Sequence, residues 1–115
     1  MKVRSTKRNS DGPLELNLVR KNNPLEKEIE AKVCKYAVQC GVAHRKYTTP
    51  QRRGAPDRIL YPGSGAVFFI EFKRRGEKPT HNQLIEHAFL TERGFRVYVV
   101  DSINQGKSII DFEAF

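Results

Sequence analysis

A chain of 115 residues, 38% apolar and 30% charged, is the size of one domain around one hydrophobic core. No apolar run approaches the roughly 18 residues that a membrane helix needs, and no signal-peptide pattern opens the sequence, so an ordinary soluble globular protein is expected. Lysine and arginine number 21 against 13 acidic residues, a net charge of +8, which suits a polyanionic partner, most simply nucleic acid.

Residues 1 to 22 hold Lys2, Arg4, Lys7, Arg8, Arg20 and Lys21 among Asn, Ser, Gly and Pro, and predict a basic, mobile arm. Leu14, Leu16 and Leu18 alternate within it like a short strand. A single domain is expected over 23 to 115. Its first helix opens at Asn23-Pro24, an N-cap followed by a favoured first helical residue. Leu25, Ile29, Val33, Tyr36 and Cys40 form its apolar stripe, and Gly41 ends it in a left-handed cap. Glu28, Lys32, Lys35 and Gln39 face solvent, whereas Glu26 and Glu30 flank the stripe. Cys34 and Cys40 lack metal-ligand spacing and read as reduced thiols of a cytosolic protein.

Val42 to Thr48 reads as a strand, followed by a basic loop over 49 to 56 and a second strand from Asp57 to Tyr61. The turn cluster Pro62-Gly63-Ser64-Gly65 predicts a hairpin into Ala66 to Arg74, whose apolar residues on both faces make it central. Thr80 to Arg93 is a second helix capped by Gly94, Phe95 to Asp101 a fourth strand, and Ile103 to Phe115 a closing helix. The order is α-β-β-β-α-β-α, an α/β domain with a small mixed central sheet flanked by helices.

Chemistry concentrates at the end of the third strand. Alternation puts Val67, Phe69, Glu71 and Lys73 on one face and Phe68, Ile70 and Phe72 on the other. Glu71 and Lys73 are then about 7 Å apart along a strand that otherwise reads as core, where charges are costly unless paired or metal-bound. Alone, the two would be a structural ion pair. Asp57 lies 14 residues before Glu71, and the hairpin turn can set the two carboxylates side by side. Two carboxylates and a lysine suit a hard divalent cation such as Mg2+ (or Mn2+), which can polarise a phosphodiester and activate water. Arg52, Arg53, Arg58, Arg74 and Arg75 surround this centre in sequence and suit phosphate contacts. Tyr47 and Tyr61 read as packing residues rather than base-stacking ones. His44, His81 and His87 lack ligand spacing, and none is read as a ligand.

These residues resemble a family. Pro56-Asp57 followed by Glu71-Phe72-Lys73 matches the PD-(D/E)xK nuclease core, with its restriction-endonuclease-like fold. The wider pattern, Gly54-Ala55-Pro56-Asp57-Arg58-Ile59, Phe69-Ile70-Glu71-Phe72-Lys73, Gln83 and Gly94, is similar to the virus-type replication-repair nuclease (VRR-NUC) branch. The resemblance implies that Asp57, Glu71 and the backbone carbonyl of Phe72 bind the metal and that Lys73 is the catalytic lysine. It implies an acidic residue on the first helix, for which Glu26 ranks slightly ahead of Glu30. Gln83 has two readings. Thr80-His81-Asn82-Gln83 is a capping box, and the resemblance places the same glutamine against the active site, holding Lys73. Lys46 fits a recurrent family lysine and is grouped with the arginines as a DNA contact.

The resemblance further implies a homodimer that hydrolyses branched DNA such as four-way (Holliday) junctions, leaving 5′-phosphate and 3′-hydroxyl ends. It suggests a phage origin and action in the bacterial cytoplasm. Alternatives are a nuclease of flaps, single-stranded ends or specific duplex sequences, and a non-catalytic DNA-binding module on the same fold. A structural subunit of a phage or repair complex, completing its site only in assembly, is a further one.

Overall fold

The computed structural model describes residues 24–115. The expected basic arm over 1–22 and the Asn23 cap lie outside the described residues. Helix α1 spans Glu26–Gln39, β1 Ala43–Lys46, β2 Arg58–Tyr61, β3 Phe68–Phe72, α2 His81–Glu92, β4 Arg96–Val100 and α3 Ile103–Ala114. This is the expected order of elements. No helix among the described residues is long and apolar enough to cross a membrane.

The first helix starts later than its sequence signal. Pro24 precedes it and Leu25 is the N-cap, with its amide donating to Glu28 Oε1 at 2.9 Å. Leucine has no side-chain oxygen to accept from the next turn, so only the reciprocal half of a capping box forms, Glu28 satisfying the Leu25 amide from inside the helix. At the other end Gly41 takes φ +80°, the left-handed conformation in which a Cβ is strained. The buried stripe of α1 is Ile29, Val33, Cys34 and Ala37, and Tyr36 and Cys40 pack at its edge.

The four strands lie in the order β1-β2-β3-β4. β1 and β2 are antiparallel, as are β2 and β3, whereas β3 and β4 run parallel. The parallel pair is joined through α2, as a crossover requires. β3 therefore has a partner on each side, and all five of its residues are buried. Phe68, Ile70 and Phe72 face the main core, packed with Ile29, Val33 and Ala37 of α1, Leu60 of β2, Val100 of β4 and Ile110 of α3. Gly106 lets α3 approach α1, since a Cβ there would stand 2.4 Å from Val33 Cγ2. α2 covers the opposite face, where Phe69 meets Tyr47 and Phe95 edge-on at 5.0 and 5.7 Å. Every strand is shorter than its sequence signal by one to four residues. The periodicity continues into flanking segments that have no ladder partner.

Candidate active site

The hairpin register carries the two carboxylates together. Arg58 pairs with Ile70 across β2 and β3, so one further step sets Asp57 opposite Glu71. On its other side Asp57 is held by β1, its carbonyl accepting from the Tyr47 amide at 3.1 Å. The preceding loop is fixed by a close approach. Gly54 has φ +90°, and a Cβ there would lie 2.4 Å from the Asn82 carbonyl oxygen. The loop thus presses against the first turn of α2, and the buried Pro56 directs the chain into Asp57.

Asp57 Oδ2 accepts from the Phe72 amide at 2.7 Å. Burial nevertheless pushes its carboxyl up from 3.8 to about 6, opposed by that hydrogen bond and reinforced by the negative charges of Glu71, Glu26 and Glu30. Glu71 is 2% exposed. Its Oε2 accepts from Gln83 Nε2 at 2.8 Å and lies 4.0 Å from Lys73 Nζ. Among the described residues its Oε1 is buried without a hydrogen-bond partner. Glu26, half-buried at the start of α1, also has its carboxyl raised. Burial is the main cause, eased by Lys73 and worsened by Glu71. Asp57, Glu71 and Lys73 therefore form one acidic centre, with one close lysine among the described residues, and Glu26 is near enough for its charge to act on Asp57.

Gln83 closes the expected capping box but does not make the expected contact with Lys73. Its Oε1 accepts from the Thr80 amide at 2.8 Å, while Thr80 Oγ1 accepts from the Gln83 amide at 3.2 Å, closing the capping box. The remaining amide nitrogen reaches Glu71 rather than Lys73. Glu30 is engaged elsewhere, accepting from Arg58 Nε at 2.7 Å in a pair with less than one-fifth of either side chain exposed. Arg58 Nη1 also lies 3.2 Å from His44 Nδ1. This pairing turns Arg58 and Glu30 toward each other, away from the solvent-facing arrangement a phosphate contact needs.

The other expected DNA contacts lie on strand ends and loops next to the elements that carry the centre. Lys46 is exposed at the end of β1, opposite Arg58 in the ladder. Arg52 and Arg53 are exposed on the loop before Asp57, with Arg52 Nη1 3.7 Å from the buried Glu86. Arg74 follows Lys73, and its amide donates to Glu77. Arg75 is exposed at a cavity of about 440 Å³ shared with Asp101, Ser102 and Asn104. The sequence pattern does not single out the buried Glu86 of α2, and it gives the partly buried His87 no role beyond excluding it as a ligand. His87 lies one turn beyond Gln83, with Nε2 3.8 Å from Glu71 Oε1. The four-residue interval from Gln83 was the available signal, because it puts both side chains on one helix face.

Among the described residues, no three His, Cys, Asp or Glu side chains could hold an ion by themselves. The residues present do fit a hard cation of lower protein demand. The donors are all oxygen, Glu71 Oε1 is buried and unpartnered, and negative charge exceeds the one lysine. Mg2+ is bound through one or two carboxylates, keeping several waters and taking oxygens from the substrate phosphate.

The chain is similar to known proteins. The chain is 41% identical over 87 residues to "Putative nuclease p44" of Acyrthosiphon pisum secondary endosymbiont phage 1, covering 76% of this chain and 88% of the relative. A solved structure described as a VRR_NUC domain superimposes with a TM-score of 0.70 at 31% identity, covering 75% of this chain and 94% of that one. No family profile matches the chain.

Proposed function

This chain belongs to the VRR-NUC family, and from that premise we propose that it is a divalent-metal-dependent DNA nuclease acting at Asp57, Glu71 and Lys73. The observation that carries the reading is the orphaned Glu71 Oε1 in an under-neutralised pair of carboxylates at the end of β3. When bound there, Mg2+ or Mn2+ supplies Lewis-acid polarisation of the phosphodiester and a readily deprotonated water.

The chain's own residues prepare that chemistry. Asp57 and Glu71, with the Phe72 carbonyl between Glu71 and Lys73, present the oxygens that hold the cation. The Phe72 amide fixes Asp57 and Gln83 fixes Glu71, so neither carboxylate reorganises when substrate arrives. Glu26 completes the acidic side in preference to Glu30, which Arg58 occupies. Lys73 holds positive charge where negative charge develops on the phosphate and orients the attacking water. Water oxygen bonds to phosphorus as the bond to the 3′ oxygen breaks, leaving 5′-phosphate and 3′-hydroxyl ends. Lys46, Arg52, Arg53, Arg74 and Arg75 offset the repulsion between the acidic centre and DNA. The net charge of +8 supports the same partner.

The substrate in this reading is branched DNA, cut by a homodimer whose two sites address two strands of like symmetry. Support for the dimer is the outer side of α2, which leaves Leu84, Ile85 and Phe89 exposed. The test is cleavage of labelled four-way junction, flap and linear duplex with Mg2+ or Mn2+, comparing wild type with Asp57→Ala and Lys73→Ala. Metal-dependent junction cutting, lost in both variants, is expected. Preferential cutting of flap or duplex would move the substrate assignment. DNA binding without cutting would put a non-catalytic binding module first.

A further inference from the structure

We propose that His87 is a positioning residue for Glu71, its Nε2–H directed at the carboxylate oxygen that takes the cation; the inference rests on the nuclease reading above. Glu71 has two oxygens in different situations. Oε2 is occupied by the Gln83 amide at 2.8 Å and lies 4.0 Å from Lys73. Among the described residues Oε1 has no hydrogen-bond partner, and neither has His87 Nε2, 3.8 Å away; both atoms are buried.

Buried polar atoms without partners are rare in folded proteins, and two of opposite character facing each other define a contact waiting to be closed. An approach of about 1 Å brings them to hydrogen-bond distance. The helix explains the arrangement. Gln83 and His87 stand four residues apart on α2, so one helix face aims a donor at each oxygen of one carboxylate. The capping box locks Gln83 from behind, and the His87 side chain is only 12% exposed. A carboxylate oxygen has lone pairs enough to accept from the imidazole and bind a cation together. Such outer contacts fix the orientation of a metal-binding carboxylate.

The experiment is Mn2+ binding to the full chain without DNA, measured by calorimetry and by the loss of the free-ion signal in electron paramagnetic resonance. Wild type is compared with Glu71→Gln, His87→Phe and His87→Gln, each checked for folding by circular dichroism. His87→Phe keeps a ring but removes the donor, whereas His87→Gln restores an N–H at similar reach. We expect His87→Phe to weaken Mn2+ binding about 10–100-fold, with His87→Gln retaining most of the wild-type affinity. Unchanged affinity in a folded His87→Phe, with Glu71→Gln clearly weakened, overturns the role of His87 and leaves the nuclease reading standing. Wild type that binds no better than Glu71→Gln overturns the metal site itself, and this proposal with it. Nitrogen NMR of the wild-type imidazole gives an answer even if His87→Phe fails to fold. A proton on Nε2 supports the contact, and a neutral ring protonated only on Nδ1 overturns it.

Discussion

Two buried carboxylate clusters sit at opposite ends of the parallel strand pair, and they are built to opposite rules. At the start of β4, Glu113 of α3 receives Arg96 Nε at 2.5 Å, Arg96 Nη2 at 2.6 Å and the Tyr98 hydroxyl at 2.5 Å. Its carboxyl is held below the usual range, chiefly by the Arg96 hydrogen bonds. At the far end of β3, Asp57 and Glu71 share one lysine at 4.0 Å from Glu71, one oxygen has no partner, and burial lifts Asp57 to about 6. The first cluster is satisfied and ties α3 to the sheet. The second stores electrostatic cost that a cation would relieve, the pattern expected where a site is shaped for a ligand rather than for stability.

The largest effect separates the clusters by activity. Asp57→Ala or Lys73→Ala should lower the cleavage rate about 10²–10³-fold or more, whereas Glu113→Gln, in the fraction that remains folded, should cut at nearly the wild-type rate in single-turnover assays. Stability separates them next. Glu113→Gln should cost about 1–2 kcal/mol, the low end applying because Arg96 is partly open to water. In a domain of this size that lowers the melting temperature by roughly 5–10 °C. Asp57→Asn in metal-free protein should do the reverse and raise the melting point, since it removes a repulsive charge and can keep the Phe72 contact.

The pH dependence carries the same contrast. Asp57 binds its proton more tightly folded than unfolded, its carboxyl standing at about 6 instead of 3.8. Metal-free protein therefore loses stability from this group as pH rises from about 4 to 6, and the loss is complete above that. Glu113 has the opposite sign. Its stabilisation is present above the ordinary carboxyl range and is lost as pH falls through its lowered pKa. Melting curves of wild type and Asp57→Asn between pH 4 and pH 7 check the first: the wild type should lose more stability on raising pH than Asp57→Asn, in which Glu26 is the remaining raised carboxyl of the site. The smallest effect is at the rim, where Arg53→Ala should reduce the salt dependence of DNA binding by about one phosphate contact, a slope change near 0.9.

The satisfied cluster was invisible in the sequence and the strained one was not, for a physical reason. Asp57, Glu71 and Lys73 stand out because charge interrupts an otherwise apolar strand pattern and because the hairpin turn fixes their register. Arg96 and Glu113 lie 17 residues apart on different elements, and only the packing of α3 brings them together. The same limit applies within the candidate site. Glu26 and Glu30 both flank one helix stripe, and the sequence ranks Glu26 only slightly ahead. Their difference comes from Arg58, whose reach to Glu30 depends on how α1 crosses the β1–β2 pair. Gln83 could be read as cap or as site residue, and its two-ended amide does both. The burial of Glu86 and the approach of His87 to Glu71 were not legible, because a helix with exposed Leu84, Ile85 and Phe89 misleads any reading that equates apolar with inside. The element order and the central position of β3 were legible from periodicity alone. The late start of α1 was not, because Pro24 suits both the first helical turn and the residue just before it.

The most direct test of the account is thermal unfolding at pH 7 with and without Mg2+ or Mn2+, in wild type, Asp57→Asn and Glu113→Gln. The account predicts that millimolar cation raises the melting temperature of wild type and of Glu113→Gln alike, and leaves Asp57→Asn nearly unmoved. An equal rise in all three, or none in wild type, would contradict the claim that the Asp57–Glu71 carboxylates are arranged for a cation.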